Sequence, residues 1–549
     1  MNNLAELLQQ WADTPQKVLY RQYVNNAWQD YDAGSLLQLA ARWQAGYKAA
    51  GLKVGDRVAL CMKNGVQWVA ADMAALGLGL VVVPLYVDDN ADNMAWCLQD
   101  SGASLLVADH LRFLSPLQKS GASLPVIVLV RGEASAPAVG VDAWLPAETE
   151  KFSVTLQAPD RTATIVYTSG TMGRPKGVML SHGNILANVA AIVDAYPIYD
   201  EDSLLSVLPL SHMFERTAGY YLPLQAGALT IYCRGINELA QDLQQQKPTI
   251  IMAVPRLFER MLARINERMA KSPLKRYLFR LAAESGWRRF KGEMRFYDAL
   301  LLKTIYPKVS GPLLEALGGR MREAVVGGAA LDKRVAHTLI GLGVPLLQGY
   351  GLTEASPVVA VNRMDNNDPE SVGEPLKGIE TRLSESAELL VRGPSVMQGY
   401  WGNAALGQTI IDADGWLNTG DIVEIRERRI YIRGRSKNIL VLSNGEKIAP
   451  EDIEQAVLED PVFEQVLVVG EGRPYLVLLA VTKHTDERAL LQKANHQIRH
   501  LPRYARIRKV IVAKEVWDLE NGLMTPTLKI KRNAVYELYA PQIEAAYRI

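Results

Sequence analysis

Short β-branched runs alternate with amphipathic stretches, and no other feature restricts the fold of this chain as much. RVALCMK (57–63), VVVPL (81–85), SLLVAD (104–109), PVIVLV (125–130) and ATIVYT (163–168) have the length and composition of strands. DNMAWCLQDSG (92–102), between two of them, has the pattern of a helix. Parallel strands need a long crossover, and the crossing helices cover both sheet faces. The expected fold class is therefore α/β with parallel sheets. At 549 residues the chain exceeds one ordinary domain, and 48% hydrophobic residues suffice for large cores.

One segment imitates a membrane span. WVAADMAALGLGLVVVPLY (Trp68 to Tyr86) approaches the ~20 residues that a span needs. Asp72, Gly77, Gly79 and Pro84 interrupt it, so it reads as a helix followed by a buried strand, Leu80 to Val83. The first residues, MNNLAELLQQWADTPQ, lack the basic and apolar regions of a signal peptide. Cys61, Cys97 and Cys233 are scattered and form no CxxC, which fits a reducing, cytoplasmic location. A net charge of +1 gives no reason to expect nucleic acid as a partner. No internal repeat or low-complexity tract stands out. The expected domain boundary lies near YIRGRSKNIL (431–440), giving units 1–434 and 435–549. Beyond it APEDIEQAVLED starts a helix, with Pro450 at its first position, acids in its first turn and Pro461 after its end.

The stretch IVYTSGTMGRPKGVMLSH (165–182) carries the first chemistry. A strand ends at Thr168; Ser169, Gly170, Thr171, Gly173 and Lys176 follow; a helix begins after Ser181. Glycines that free backbone N–H groups, hydroxyl donors and one lysine are the chemistry of a phosphate-binding loop, and the plainer alternative is a surface turn rich in small residues. It is not the common P-loop, because Gly177 follows Lys176 where Ser or Thr is required.

YTSGTMGRPKG resembles the phosphate loop of the adenylate-forming superfamily, and further motifs follow in that family's order. LPLSHMFER (208–216) resembles its histidine-containing substrate motif, and VVGGAAL (325–331) its adenine-side loop. QGYGLTEASP (348–357) resembles the motif with the metal-binding glutamate, and GWLNTGDI (415–422) the ribose motif. IRGRSKNILVLSNGEKIAPEDIE (432–454) resembles the hinge, and TPTLKIKR (525–532) the C-terminal lysine motif. The resemblance implies a large N-terminal domain of parallel-sheet subdomains plus a β-barrel-like subdomain, followed by a small mobile α+β domain. It implies ATP, Mg²⁺ and coenzyme A as partners of the reaction.

The resemblance assigns roles residue by residue. Thr168 to Gly173 and Lys176 would hold the β- and γ-phosphates, and Glu354 would bind Mg²⁺ with the Thr168 hydroxyl as a second ligand. Thr353 would touch the α-phosphate. Gly328, Ala329, Gly349, Tyr350 and Gly351 would frame the adenine, with Tyr350 stacked on it. Asp421 and Arg435 would hold the ribose, and His212 would line the acyl entrance. Lys529 would bridge the attacking carboxylate and the α-phosphate, and Lys437 would be the hinge. Taken singly these residues have plainer readings: Glu354 as an acid at a helix start, Lys529 as a solvated lysine, His212 and Asp421 as turn residues. Their ordered set outweighs those readings.

The chain departs from the family pattern at several points. Met172 stands where a threonine is commonest, and Asn438 where an acid usually flanks the hinge. SESAELLVRG (384–393) is a short hairpin with Ala387 where glycine is usual. TLK in place of TGK resembles the long-chain acyl-CoA synthetase branch, so a medium-to-long-chain fatty acid is the expected substrate. Two alternatives stay open: a fatty-acid–AMP ligase that loads a carrier protein, and a non-catalytic acyl or nucleotide binder. The ordinary length between Arg435 and Lys529 favours CoA over the first, and the joint presence of Lys176, Glu354, Asp421 and Lys529 argues against the second. Residues 271–322 carry twelve basic and four acidic residues. This segment either lies as a peripheral element on an anionic membrane face or merely covers a core, and the sequence leaves both open.

Overall fold

The computed structural model describes residues 1–112, 114–119, 125–168, 174–270, 272–518, 521–525 and 529–548. Two large sheets dominate. One has eight strands in the order Gly399–Tyr400, Lys176–Ser181, Thr162–Thr168, Val81–Pro84, Arg57–Cys61, Leu105–Ala108, Val126–Leu129, Ala138–Gly140. From Thr162–Thr168 onward neighbouring strands are parallel. The five strands read from sequence are all in it. The other sheet has nine strands, with a parallel centre formed by Leu346–Gly351, Glu323–Val326, Ile250–Ala253, Ser203–Ser206, Leu229–Tyr232 and Val18–Val24.

The imitated span resolves as expected, into helix Val66–Gly77 and strand Val81–Pro84. The reason for Asp72 lies elsewhere in the chain. It is fully buried and pairs with the equally buried Arg216. Tyr220 and Tyr221 donate to its other oxygen at 3.1 and 3.0 Å, and Arg216 also donates to Thr164 Oγ1 at 2.8 Å. Arg216, Tyr220 and Tyr221 belong to one π-helical segment, Glu215–Tyr221, every residue of which is buried. The wider π turn brings a cation and two hydroxyls to one carboxylate, and such segments occur mostly at functional sites. Among the described residues no helix is long and apolar enough to cross a membrane.

The stretch after Thr168 differs from the expected loop. Lys176 opens a strand, Lys176–Ser181, antiparallel to Thr162–Thr168 with Lys176 opposite Thr168. The following helix starts at His182, capped by a reciprocal Ser181–Asn184 pair. A side chain at Gly177 would come within 2.7 Å of Ile165 and 3.2 Å of Trp401. The missing hydroxyl residue after Lys176 is therefore a packing requirement of this hairpin.

A third subdomain is a four-stranded antiparallel sheet ordered Glu380–Leu383, Glu388–Arg392, Leu417–Arg426, Arg429–Arg435. Its first turn holds Ala387 at φ +60°, where glycine would be relaxed. After Arg435 comes a single 3₁₀ turn, Ser436–Asn438, and then an α+β unit. That unit packs helices Pro450–Val457 and Glu487–Gln497 on the sheet Gln465–Val469, Leu476–Val481, Ile507–Ala513. Pro450 takes the first helical position as expected.

Candidate active site

Some of the expected site residues lie at the carboxyl ends of parallel strands, where open α/β sheets bind ligands. Thr168 ends one strand, Gly327 and Gly328 follow Val326, Gly349 to Gly351 end another, and His212 lies beyond Ser206. Gly328 has φ +83°, so a side chain there would be strained, and Ala329 next to it is exposed. Ser169, Gly170, Thr171, Met172 and Gly173 lie outside the described residues.

Gly351 has a backbone reason. A Cβ there would lie 2.0 Å from the Pro357 carbonyl oxygen, which accepts from Leu352 N–H at 2.9 Å. This close approach folds Thr353 and Glu354 into a 3₁₀ turn, Thr353–Ala355. Glu354 accepts a hydrogen bond from the Tyr400 hydroxyl at 3.0 Å, and the Lys176 ammonium stands 5.7 Å from the Tyr400 ring centre. Tyr400 thus stands between Lys176 and Glu354, and burial first, then the Glu354 charge, push its phenol pKa up. Neither motif nor periodicity marks Tyr400. Its strand pairing with Lys176–Ser181 is what brings it there.

A second cluster forms around Asp421. Its Oδ2 accepts from the Tyr350 hydroxyl at 2.5 Å, and its Oδ1 from Arg435 Nε at 2.8 Å. Asp421 and Arg435 face each other across adjacent strands, and the Asp421 side chain is only 5% exposed. Each carboxylate oxygen keeps a second lone pair, so the group can still accept from a sugar hydroxyl.

Lys529 arrives from the C-terminal unit. A short bridge fixes its backbone: Lys529 N–H donates to Thr525 Oγ1 at 3.0 Å, and Thr525 N–H to the Lys529 carbonyl at 2.8 Å. The residue is exposed to water. Desolvation by the protein around it lowers its pKa, the Arg435 charge lowers it further, and the Asp421 carboxylate opposes both. The same ammonium acts on His212. Burial first, and Lys529 second, push His212 down to about 4, so the imidazole is neutral at physiological pH. His212 Nδ1 accepts from Phe214 N–H at 3.2 Å, and this fixes the tautomer with the proton on Nε2.

Lys437 sits in the 3₁₀ turn between the units, close enough to Glu388 to favour its carboxylate form; hydrogen bonds from Ser436 and Asn418 lower that pKa more. Asn438, the departure from the usual acid, donates to Glu451 Oε1 at 2.5 Å. An acid there would face a second carboxylate.

One buried group had no expected role. Glu215, beside Arg216, is fully buried, and both its oxygens lack a well-formed hydrogen bond, although Ser206 and Leu208 N–H face it. Burial raises its pKa to about 8. The folded value exceeds the unfolded one near 4.5, so the folded chain holds the extra proton between them. Its stabilising contribution is full below pH 4.5 and is lost as pH rises through 8. Glu215→Gln should therefore flatten the fall in unfolding free energy between pH 5 and pH 8, on the order of a few kcal/mol. Urea midpoints with identical pH slopes in both proteins would reject a neutral Glu215.

With this geometry in hand, comparison with known proteins is decisive. The model of the AMP-binding enzyme family matches residues 7–401, and that of the AMP-binding enzyme C-terminal domain matches residues 437–549. The chain belongs to the AMP-binding enzyme family. It is similar to the long-chain-fatty-acid–CoA ligase FadD15 of Mycobacterium bovis, at 29% identity over 100% of this chain and 97% of that protein. It is also similar to the long-chain-fatty-acid–[acyl-carrier-protein] ligase AEE15 of Arabidopsis thaliana, at 27% identity over 98% of this chain and 84% of that one. Among solved structures, ATP-bound MatB from Rhodopseudomonas palustris superposes with a TM-score of 0.76 at 23% identity, over 98% of this chain and 99% of that one. By class this AMP-binding enzyme is an adenylate-forming ligase.

ATP and Mg²⁺ are typical of such ligases, and the donor set fits them. Among the described residues no cluster of three or more His, Cys, Asp or Glu could hold an ion alone. Mg²⁺ bound through one carboxylate and substrate phosphates needs no such cluster. Glu354, whose carboxylate accepts from the Tyr400 hydroxyl, offers the oxygen chemistry that such an ion would need.

Proposed function

We propose that this AMP-binding enzyme activates a medium-to-long-chain fatty acid with ATP and transfers it to coenzyme A, releasing pyrophosphate and AMP. One observation supports the reading: the charge of Lys529, from the far end of the chain, acts on His212 and is itself acted on by Arg435 and Asp421. A flexible ammonium there can sit between two anions, a carboxylate and an α-phosphate, that would otherwise repel.

In the first half-reaction a carboxylate oxygen attacks the α-phosphorus, the bond to the bridging β-phosphate oxygen breaks, and pyrophosphate leaves. Lys176 and the loop after Thr168 hold the β- and γ-phosphates, and Thr353 the α-phosphate. Asp421 and Arg435 hold the ribose; Tyr350, with Gly328, Ala329, Gly349 and Gly351, borders the base. Glu354 with the Thr168 hydroxyl would hold Mg²⁺, which would supply charge neutralisation. Neutral His212 lines the acyl entrance without adding a cation near Lys529. In the second half-reaction the thiol loses its proton, the sulfur attacks the acyl carbon, and the bond to the AMP oxygen breaks. We assign the units 1–434 and 435–549, with Lys437 as the hinge that exchanges the two reactions.

Acyl-CoA formation measured across acids from acetate to oleate tests the substrate. A chain that activates acetate, an aryl acid or an amino acid far better than any fatty acid does not fit the reading. The likeness to AEE15 favours a second acceptor, an acyl carrier protein. Offering CoA and carrier protein side by side separates the two.

Glu354→Ala should raise the Mg²⁺ concentration for half-maximal adenylation by about tenfold or more, since even supporting residues of metal sites cost about 10–100-fold. Pyrophosphate release at limiting Mg²⁺ measures it, and an unchanged Mg²⁺ dependence would remove Glu354 from the metal site.

A further inference from the structure

The basic segment forms helices Pro273–Lys291, Asp298–Thr304 and Tyr306–Ala316. The first buries Phe279, Ala282, Ala283 and Gly286, and packs against helix Lys333–Gly341 so closely that a Cβ on Gly286 would lie 1.7 Å from the Gly341 carbonyl oxygen. With 3.6 residues per turn, Leu274, Tyr277 and Arg288 fall on the opposite side. Arg288 binds Asp298 Oδ2 through Nε at 2.8 Å, so the second helix also begins on that outward side.

This outward side is apolar where nothing covers it. Leu274 is 65% exposed, Tyr277 62%, Phe296 95% and Leu300 65%. Leu274 and Tyr277 stand at the start of the first helix and Phe296 and Leu300 follow its end, two groups of large exposed apolar side chains of the kind that mark an interaction surface. Lys291, Arg295 and Lys303 are interleaved with them and exposed. The charge balance names the partner. Residues 271–322 carry a net +8 in a chain of net +1, so the remainder carries −7. A second copy meeting face to face would set +8 against +8, whereas an anionic lipid surface takes both the cations and the apolar side chains.

We propose that the outward face of residues 273–304 docks on an anionic lipid bilayer, with Phe296 and Leu300 entering the headgroup region and Lys291 and Arg295 on lipid phosphates. The proposal goes beyond the catalytic reading, and its main readout, vesicle binding, needs no turnover. Full-length protein is floated with vesicles of phosphatidylcholine, with and without phosphatidylglycerol. The expected result is binding to the anionic vesicles at least about tenfold above the neutral ones, weakening with salt. Phe296→Ser with Leu300→Ser, and separately Lys291→Glu with Arg295→Glu, should each lower that binding about tenfold. Both variants should adenylate a water-soluble octanoate as the parent does. Absent vesicle binding, equal binding to both vesicle types, or variants that bind like the parent would overturn the proposal. So would a concentration-dependent dimer abolished by Phe296→Ser with Leu300→Ser in place of vesicle binding, which assigns the face to a second copy.

Discussion

Lys529→Ala should slow adenylate formation by about 10²-fold or more while leaving thioester formation from pre-formed acyl-adenylate near the normal rate. The magnitude is that of losing an electrostatic contact with a transition state. The selectivity follows from where Lys529 resides. Its backbone bridge to Thr525 belongs to the C-terminal unit, whereas His212, Asp421 and Arg435 belong to the large one. Its contribution therefore depends on how the two units meet, and in the proposed cycle they separate before the thiol attacks. Lys437→Pro should give the opposite pattern. It restricts the 3₁₀ turn Ser436–Asn438 between the units. Adenylation should persist and the thiol step should slow. Rapid-quench measurement of each half-reaction checks both variants. Equal losses in both steps for both variants would refute alternation of the C-terminal unit.

Arg216→Met should lower the unfolding free energy of the large unit by about 3–5 kcal/mol, the usual cost of leaving one member of a buried ion pair alone. Asp72 would remain fully buried with only the Tyr220 and Tyr221 hydroxyls as donors. Replacing both, Asp72→Leu with Arg216→Met, should cost less than the two single changes added together, because no unpaired charge remains. Urea unfolding of the four proteins completes the cycle. Additive costs, or a single-variant loss below about 1 kcal/mol, would mean that the pair does not act as a unit.

The separate elements were legible because local rules specify them. Period and composition located the strands Arg57–Cys61, Val81–Pro84, Leu105–Ala108, Val126–Leu129 and Thr162–Thr168. Ser181 and Pro450 marked helix starts because a helix end needs a cap or an absent N–H. The antiparallel strand Lys176–Ser181 escaped notice, since its glycine and flanking hydroxyls read equally well as loop. Tyr400 escaped because GYW carries no period. A clue to the Asp72–Arg216 pair did exist, a lone Asp72 in one apolar segment and the adjacent Glu215 and Arg216 in another, but it names no partner.

The sequence by itself determined the α/β class, the order of the motifs and the residue types that phosphate, metal and ribose would need. The class rests on spacing along the chain, where neighbours a few residues apart control the backbone, and the motif order and residue roles on the resemblance to the adenylate-forming superfamily. Only the tertiary structure decided why Gly177 and Gly351 carry no side chain, since the atoms that exclude a Cβ belong to Ile165, Trp401 and the Pro357 carbonyl. It decided that Asp72 meets Arg216 across 144 residues, and that the charge of Lys529 acts on His212 and is acted on by Arg435. Such contacts follow from strand order and from the docking of one unit on another. Burial then sets their strength, because the same charges that water would screen act at close range inside the protein.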